Sequence, residues 1–261
     1  MDVSFWGPSG WKLLHLIAAA NKKPRPFWAL IPFVLPCKFC RSSLTQYYYD
    51  LPPPLRNNAP MDKWLWKIHN NVNAKLRSQG QTVDPDPPFK EVKALYDTQL
   101  TQGCTRTEFP GWNFLFSIAD NHPLSSPSRP MPDVPEEDLC DIDTMSLIEK
   151  NRKNLMTPEE RIDVLADFWT SIPEALPFPE WRDSWRRHAG SVKEAVKSRK
   201  ASLAWLWTIR CGMENDLQQL STDTFYGLCK KVAEHRSRCG TNKRSKTCRK
   251  TQKKKSRDHQ K

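Results

Sequence analysis

Residues 26–49 read PFWALIPFVLPCKFCRSSLTQYYY, and the reading of this stretch decides the fold. Residues 26–35 are apolar almost all round, which suits a short buried helix bent at Pro32 and ended near Pro36. Cys37 and Cys40 then form a CxxC that opens a third helix running to about Tyr49, closed by Pro52, Pro53 and Pro54. Upstream, residues 9–21 predict a helix capped by Ser9, with Trp11, Leu14, His15, Ala18 and Ala19 at three- and four-residue spacing, so that Trp11 and His15 share a face. Downstream, residues 61–77 predict a fourth helix whose apolar side carries Trp64, Leu65, Ile68, His69, Val72 and Leu76, with Asn73 one turn beyond His69. Residues 88–100 make a short fifth helix. Nothing in the first hundred residues alternates like a strand, so the expected class is all-α.

A CxxC at a helix start puts its first thiol near unpaired backbone N–H groups and the positive end of the helix dipole, which favours the thiolate that exchanges disulfides. The motif alone is shared by thioredoxin-like proteins and zinc sites. A thioredoxin-like reading needs a strand before the CxxC, and here the surroundings are helical. A non-enzymatic zinc module would join Cys37 and Cys40 to His15 and His69, yet such sites usually present tightly spaced ligand pairs and these histidines are 54 residues apart.

The chain has 261 residues, 38% of them apolar, including 11 Trp and 11 Phe, which is the composition of a folded protein with room for two domains. Its formal charge of +12 is unevenly placed: Arg236–Lys261 holds twelve Lys or Arg against one Asp, leaving about +1 for the rest. That tail cannot bury a core and is expected to be disordered; it suits contact with nucleic acid or acidic surfaces, and an interaction module built around it is an alternative to an enzyme. No apolar run approaches the roughly 18 residues that span a bilayer, and the N-terminus lacks the pattern of a secretory signal, so a soluble intracellular protein is expected. Of eight cysteines, Cys37 and Cys40 are the close pair; in a reducing compartment such a pair points to redox or metal chemistry before structural bridging.

The second half repeats the first. Thirteen residues between Phe27 and Leu76 recur 141 positions later, among them Phe27, Trp28, Pro32, Leu35, Arg41 and Trp64, which return as Phe168, Trp169, Pro173, Leu176, Arg182 and Trp205. The pattern GWxxLxxIA occurs at Gly10–Ala18 and again at Gly111–Ala119, an offset of 101. The difference is an insertion at about 121–157, rich in Pro and acidic residues, with the composition of an exposed loop. Residues 105–235 therefore read as a degenerate copy of residues 1–104, followed by the tail at 236–261. In the copy, Cys37 and Cys40 become Phe178 and Trp181, while His15 and His69 become Phe116 and Arg210. Packing needs only shape and apolarity, so an apolar framework that survives the joint loss of these four residues marks them as chemical.

Trp11-Lys12-Leu13-Leu14-His15, Pro36-Cys37-Lys38-Phe39-Cys40 and the run from His69 to Leu76 together resemble the WxxLH, YPCxxC and HNxVNxKL signatures of the Erv/ALR sulfhydryl oxidase family, in order and over residues 5–100. The resemblance implies a four-helix bundle plus a short fifth helix holding FAD non-covalently. It implies that Cys37 meets a protein dithiol, delivered by a thioredoxin-like carrier or presented by viral proteins, that Cys40 faces the flavin, and that molecular oxygen takes the electrons as H2O2. Gly7, Trp11, His15, His69, Asn70, Val72, Asn73 and Lys75 are the cofactor contacts it implies, with no metal. Family members also use a flexible segment with a second cysteine pair as a shuttle, for which Cys239 and Cys248 in the basic tail are candidates; two incidental thiols are the alternative. The family's structural disulfide is expected to be absent, since Trp66 and Pro85 stand at its positions. A degenerate second bundle resembles the quiescin-type oxidases, where Phe116, Phe178 and Trp181 would fill the vacated space or the two copies would form a pseudo-dimer in place of a homodimer. An added domain without that disulfide suits a large DNA virus that makes disulfides in host cytoplasm, with the virion as a second location.

Overall fold

Asp2, not Ser9, starts the first helix. In the computed structural model, which describes residues 1–104, 107–219 and 223–236, α1 (Val3–Ala19) is capped by the Asp2 carboxylate, which accepts from the Ser4 N–H at 3.0 Å. Pro8 lies inside α1, where the rules of local sequence would end a helix. The first turn persists because tertiary contacts hold it: the Asp2 N–H donates to the His235 carbonyl at 2.8 Å, and Phe5 stacks on the His235 ring at 4.2 Å between centroids.

The expected helices follow as α2 (Arg25–Val34), α3 (Lys38–Asp50), α4 (Met61–Ser78) and α5 (Phe89–Gln102). The second half contributes α6 (Trp112–Asp120), α7 (Leu147–Lys153), α8 (Pro158–Ala175), α9 (Pro179–His188), α10 (Val192–Ala195), α11 (Arg199–Asp216) and α12 (Phe225–Glu234). Two 3-10 turns lie between α6 and α7, and no strand occurs among the described residues, so the class is all-α as expected. None of the described helices is long and apolar enough to cross a membrane.

One aromatic core runs through both halves. Helices whose sequences recur meet each other: α1 packs on α6 and α2 on α8. Phe27 stacks on Phe168, its counterpart at the 141 offset, at 5.8 Å, and both are fully buried. Across α1 and α6, Gly10 sits against Phe114 while Gly111 sits against Leu13, a reciprocal pair under the 101 offset. Residue i touching j′ while j touches i′ is the contact pattern of a two-fold interface. Each fully buried aromatic there contributes about 1.5–3 kcal/mol. Ser9 completes the junction: its hydroxyl donates to the Pro110 carbonyl at 2.6 Å and accepts from the Phe114 N–H at 3.2 Å. It thereby caps α6, whose own N-cap, Gly111, has no side chain to do so.

The halves differ where the cysteines were lost. In the second half α9 packs directly on α11, with Trp181 and Trp185 fully buried and Phe116 sealed between Trp112 and Trp207. In the first half α3 and α4 barely approach one another and a cavity lies between them.

The insertion departs from the exposed loop that its composition predicts. It builds α7, which opens with a capping box at Ser146 and Glu149 and packs on α3. Asn151 and Asn154 are both buried. Asn151 donates to the Pro32 carbonyl at 3.2 Å and to Thr45 Oγ1 at 2.8 Å, and these satisfied polar contacts outweigh the loop-like composition.

Candidate active site

Pro36 ends the turn after α2, and Cys37 is the N-cap of α3 in extended conformation, with its carbonyl accepting from the Arg41 N–H at 2.9 Å. Cys37 and Cys40 are both half-buried, at the end of α3 where backbone N–H groups point outward. Cys40, Ser43, Leu44 and Tyr47 recur along one face of α3, and that face lines a cavity of about 430 Å³. Gly7 and Trp11 of α1 and Val72 and Lys75 of α4 form other walls of the same cavity, as do Ile31 and Leu35 near the end of α2. The Lys75 ammonium donates to Ser43 Oγ and so ties α4 to α3 at the rim. Cys37 is not among the lining residues.

Most of the wall is apolar, which suits a flat hydrophobic ligand. Trp6 also lines the cavity, and its Nε1 is buried without a hydrogen-bond partner among the described residues. A buried donor of this kind costs free energy unless a ligand or water accepts from it.

His15, His69 and Trp11 form a second cluster beside the cavity. Trp11 stacks on His69 at 3.9 Å, and His15 Nε2 and His69 Nδ1 share a hydrogen bond at 3.0 Å. Tyr96 of α5 stacks on His15 at 5.2 Å. Burial, with the neighbouring His69 adding to it, pushes the His15 pKa down to about 3. Burial likewise holds His69 at about 4, against a smaller upward pull from Asp86. Both imidazoles are therefore neutral at physiological pH, one donating and the other accepting. Tyr96 is pushed up to about 12 by burial and stays a phenol.

The other candidates separate. Asn73 donates to Asp86 at 2.7 Å, and Asp86 also pairs with Arg77, which clamps the segment between α4 and α5. Trp66 Nε1 donates to the Pro87 carbonyl at 2.9 Å, so at one of the two positions of the expected missing disulfide a hydrogen bond holds the same segment. Asn70 is half-buried on α4. Cys239 and Cys248 lie outside the described residues. Among those described, no group of three or more His, Cys, Asp or Glu side chains is placed to hold a metal ion.

Sequence reasoning overlooked several residues. Tyr47 stands seven residues after Cys40, a spacing that would have found it. Met131, Pro132 and Asp133 of the insertion also line the cavity, and nothing local in the sequence carries that signal.

Comparison with known proteins falls on the same helices. The model of the Erv1/Alr family matches residues 8–93, from the second turn of α1 into α5. An African swine fever virus protein (isolate Pig/Kenya/KEN-50/1950) named FAD-linked sulfhydryl oxidase is 34% identical over 122 residues, covering 42% of this chain and 98% of that protein. The mitochondrial FAD-linked sulfhydryl oxidase ERV1 of Saccharomyces cerevisiae is 28% identical over 85 residues, covering 29% of this chain and 45% of the yeast protein. No solved structure matches. A viral relative matched almost from end to end at this identity leaves one assignment: the chain belongs to the Erv1/Alr family.

Proposed function

We propose that this protein is an FAD-linked thiol oxidase that forms disulfides in protein dithiols through Cys37 and Cys40. The observation that carries this reading is the place of Cys40, on the wall of an apolar cavity and three residues from a partner cysteine at a helix N-cap. The cavity fits a flavin ring on its own merits: its wall is mostly Leu, Ile, Val and aromatic side chains, and the Lys75 ammonium and Ser43 hydroxyl stand at its rim. When bound, FAD would supply a two-electron acceptor, the chemistry that links thiol oxidation to reduction of molecular oxygen to H2O2.

The residues of this chain divide the remaining work. Cys37, outside the cavity and at the positive end of α3, meets the incoming dithiol; its sulfur accepts the substrate thiolate as the bond to Cys40 breaks. The second substrate thiolate then displaces Cys37 and leaves with a new disulfide, so two electrons enter the CxxC, one substrate proton passes to a sulfur of the pair and the other goes to solvent. Cys40 faces the cavity and carries those electrons inward. Gly7, Trp6, Trp11, Val72 and Lys75 would hold the ring and exclude water from it, while neutral His15, His69, which is stacked with Trp11, and Asn70 would serve the nucleotide end. Asn73 acts through Asp86 by fixing the segment before α5.

The same reading assigns residues 1–104 to the working unit and 105–235 to an inert copy that completes a pseudo-dimer. Reciprocal helix contacts and the aromatic filling around Trp181 support it. The viral relative supports a viral setting, with host cytoplasm and virion as the places to look. Contact of the tail with nucleic acid or acidic surfaces rests on its charge alone.

Oxidation of dithiothreitol by the full chain tests the reading. Wild-type protein should turn over catalytically with peroxide as product, and Cys37→Ser and Cys40→Ser should each lower the rate by roughly a thousandfold or more, as expected for loss of a covalent redox centre. Turnover near the wild-type rate in Cys40→Ser would sink it.

A further inference from the structure

Arg41 follows the CxxC directly and is almost fully buried, at 4% exposure. Its guanidinium donates to the Leu35 carbonyl at 2.8 Å and to Asn154 Oδ1 at 2.6 Å. Both acceptors are neutral, and among the described residues no carboxylate pairs with it. A second guanidinium, Arg161 of α8, is buried close enough for the two charges to be felt, and it too donates only to a carbonyl, that of Ser126. Buried cations without an anion are costly, and proteins retain them where an anion forms. The anion that the proposed chemistry creates here is a cysteine thiolate.

Other charged groups also stand around α3. Among the elements packed on it, α2 brings Arg25, at its far end. On α7, Glu149 bonds Ser146, Lys150 pairs with Glu160, Arg152 bonds Gln46 and Lys153 pairs with Asp138. On α3 itself Lys38 reaches the Arg129 and Pro130 carbonyls, while Tyr47 and Tyr48 are held as phenols by burial. Lys75 and Asp133 stand on the cavity wall, the former on Ser43.

The second half supplies a control within the same chain. Arg182, at the 141 offset, donates to the Leu176 and Pro177 carbonyls at 2.9 and 3.0 Å, so the bond to the carbonyl after α2 or α8 is a shared structural feature. What Arg41 adds is deep burial, a place one helical turn after Cys37, whose carbonyl accepts from the Arg41 N–H, and the anchor on Asn154. Asn154 is itself buried in left-handed conformation, φ 57°, and donates to the Arg129 carbonyl at 2.6 Å. Arg129 and Pro130 are the residues that receive Lys38, and Met131–Asp133 next to them wall the cavity.

We propose that Arg41, aimed by Asn154 of the insertion, is the charge that stabilises the thiolate of the reduced Cys37–Cys40 pair, which makes the second half a working part of the site. When a substrate dithiol is oxidised, its two electrons enter the Cys37–Cys40 bond and its two protons are released; one proton stays on a sulfur of the pair, the other goes to solvent, and the remaining negative charge lies against Arg41. Burial pulls the Arg41 pKa down while the Cys37 and Cys40 sulfurs oppose that fall, which is the reciprocal of the same attraction. Arg41 and Asn154 are positioning residues in this role. The inference rests on the oxidase reading for its purpose, though its measurement does not.

The test is the pH dependence of alkylation of Cys37 and Cys40 in the reduced full chain, followed residue by residue by mass spectrometry. R41M should raise the apparent thiol pKa by about one unit, about ten-fold less thiolate near neutrality. R41K should restore part of the shift and N154A should move it in the same direction as R41M. R182M should lower the melting temperature and leave the thiols where they are. An R41M protein with wild-type circular dichroism that titrates like wild type would overturn the proposal, as would an equal shift in R182M. If R41M does not fold, unchanged titration in both R41K and N154A overturns it. Thiol ionisation is read without turnover, so a colourless, inactive protein would defeat the oxidase reading and leave this result legible.

Discussion

His15 and His69 show how far a single side chain's environment sets its chemistry. Each unfolded imidazole takes a proton near its ordinary pKa of 6.5, whereas in the fold burial delays protonation to about 3 for His15 and about 4 for His69. Below about pH 6.5 the unfolded chain therefore binds more protons than the folded one, and stability decreases as the pH is lowered. The contribution is complete above that value and is lost as pH drops through the folded pKa values, at on the order of 1 kcal/mol per pH unit for each imidazole. Denaturant titrations across this window should show the decline in wild type and a shallower one in His15→Phe, the residue type that stands at 116; equal slopes would contradict the assignment. The histidines were legible in the sequence because they vanish from the second half together with the cysteines. Trp6 was not, since an indole in an apolar run looks like core until its N–H is seen to lack a partner.

Helix pairs carry the next level. Gly111 lies so close to α1 that a Cβ there would come within 2.5 Å of Leu13 Cδ2 and 3.0 Å of Phe109 Cε1. Leu13 is buried, so making room for a methyl group means repacking its neighbours. Gly111→Ala should lower the unfolding free energy by about 1–3 kcal/mol, read from denaturant midpoints. Adding Leu13→Ala should cost less than the sum of the two single changes, because the clash is gone; strict additivity would mean that α1 and α6 do not meet in solution as described. Helix periodicity was enough to read α2 to α5 to within a residue or two at most ends, since their buried faces repeat regularly. It misplaced the start of α1, where contacts with residue 235 outweigh the effect of Pro8, and it read the insertion as exposed because burial of Asn151 and Asn154 depends on partners more than a hundred residues away.

At the scale of the whole molecule, the two halves share one aromatic core, and the apolar cavity lies in the first. The first keeps α3 and α4 apart, with Cys40 on the wall between them; the second closes α9 on α11 and packs Trp181, the counterpart of Cys40, into the gap. The recurrence of Phe27 and Trp28 as Phe168 and Trp169 was visible in the sequence, and it falls on α2 and α8, which pack on each other. The direct service of the second half to the first, through Asn154, Arg129 and the cavity wall at Met131, was not, because it is made by the one segment that the repeat does not contain. The most direct measurement is the flavin content of purified full-length protein, from its visible absorption and the flavin released on denaturation. One FAD per chain is the predicted result; a colourless protein, or two FAD per chain, would contradict the account.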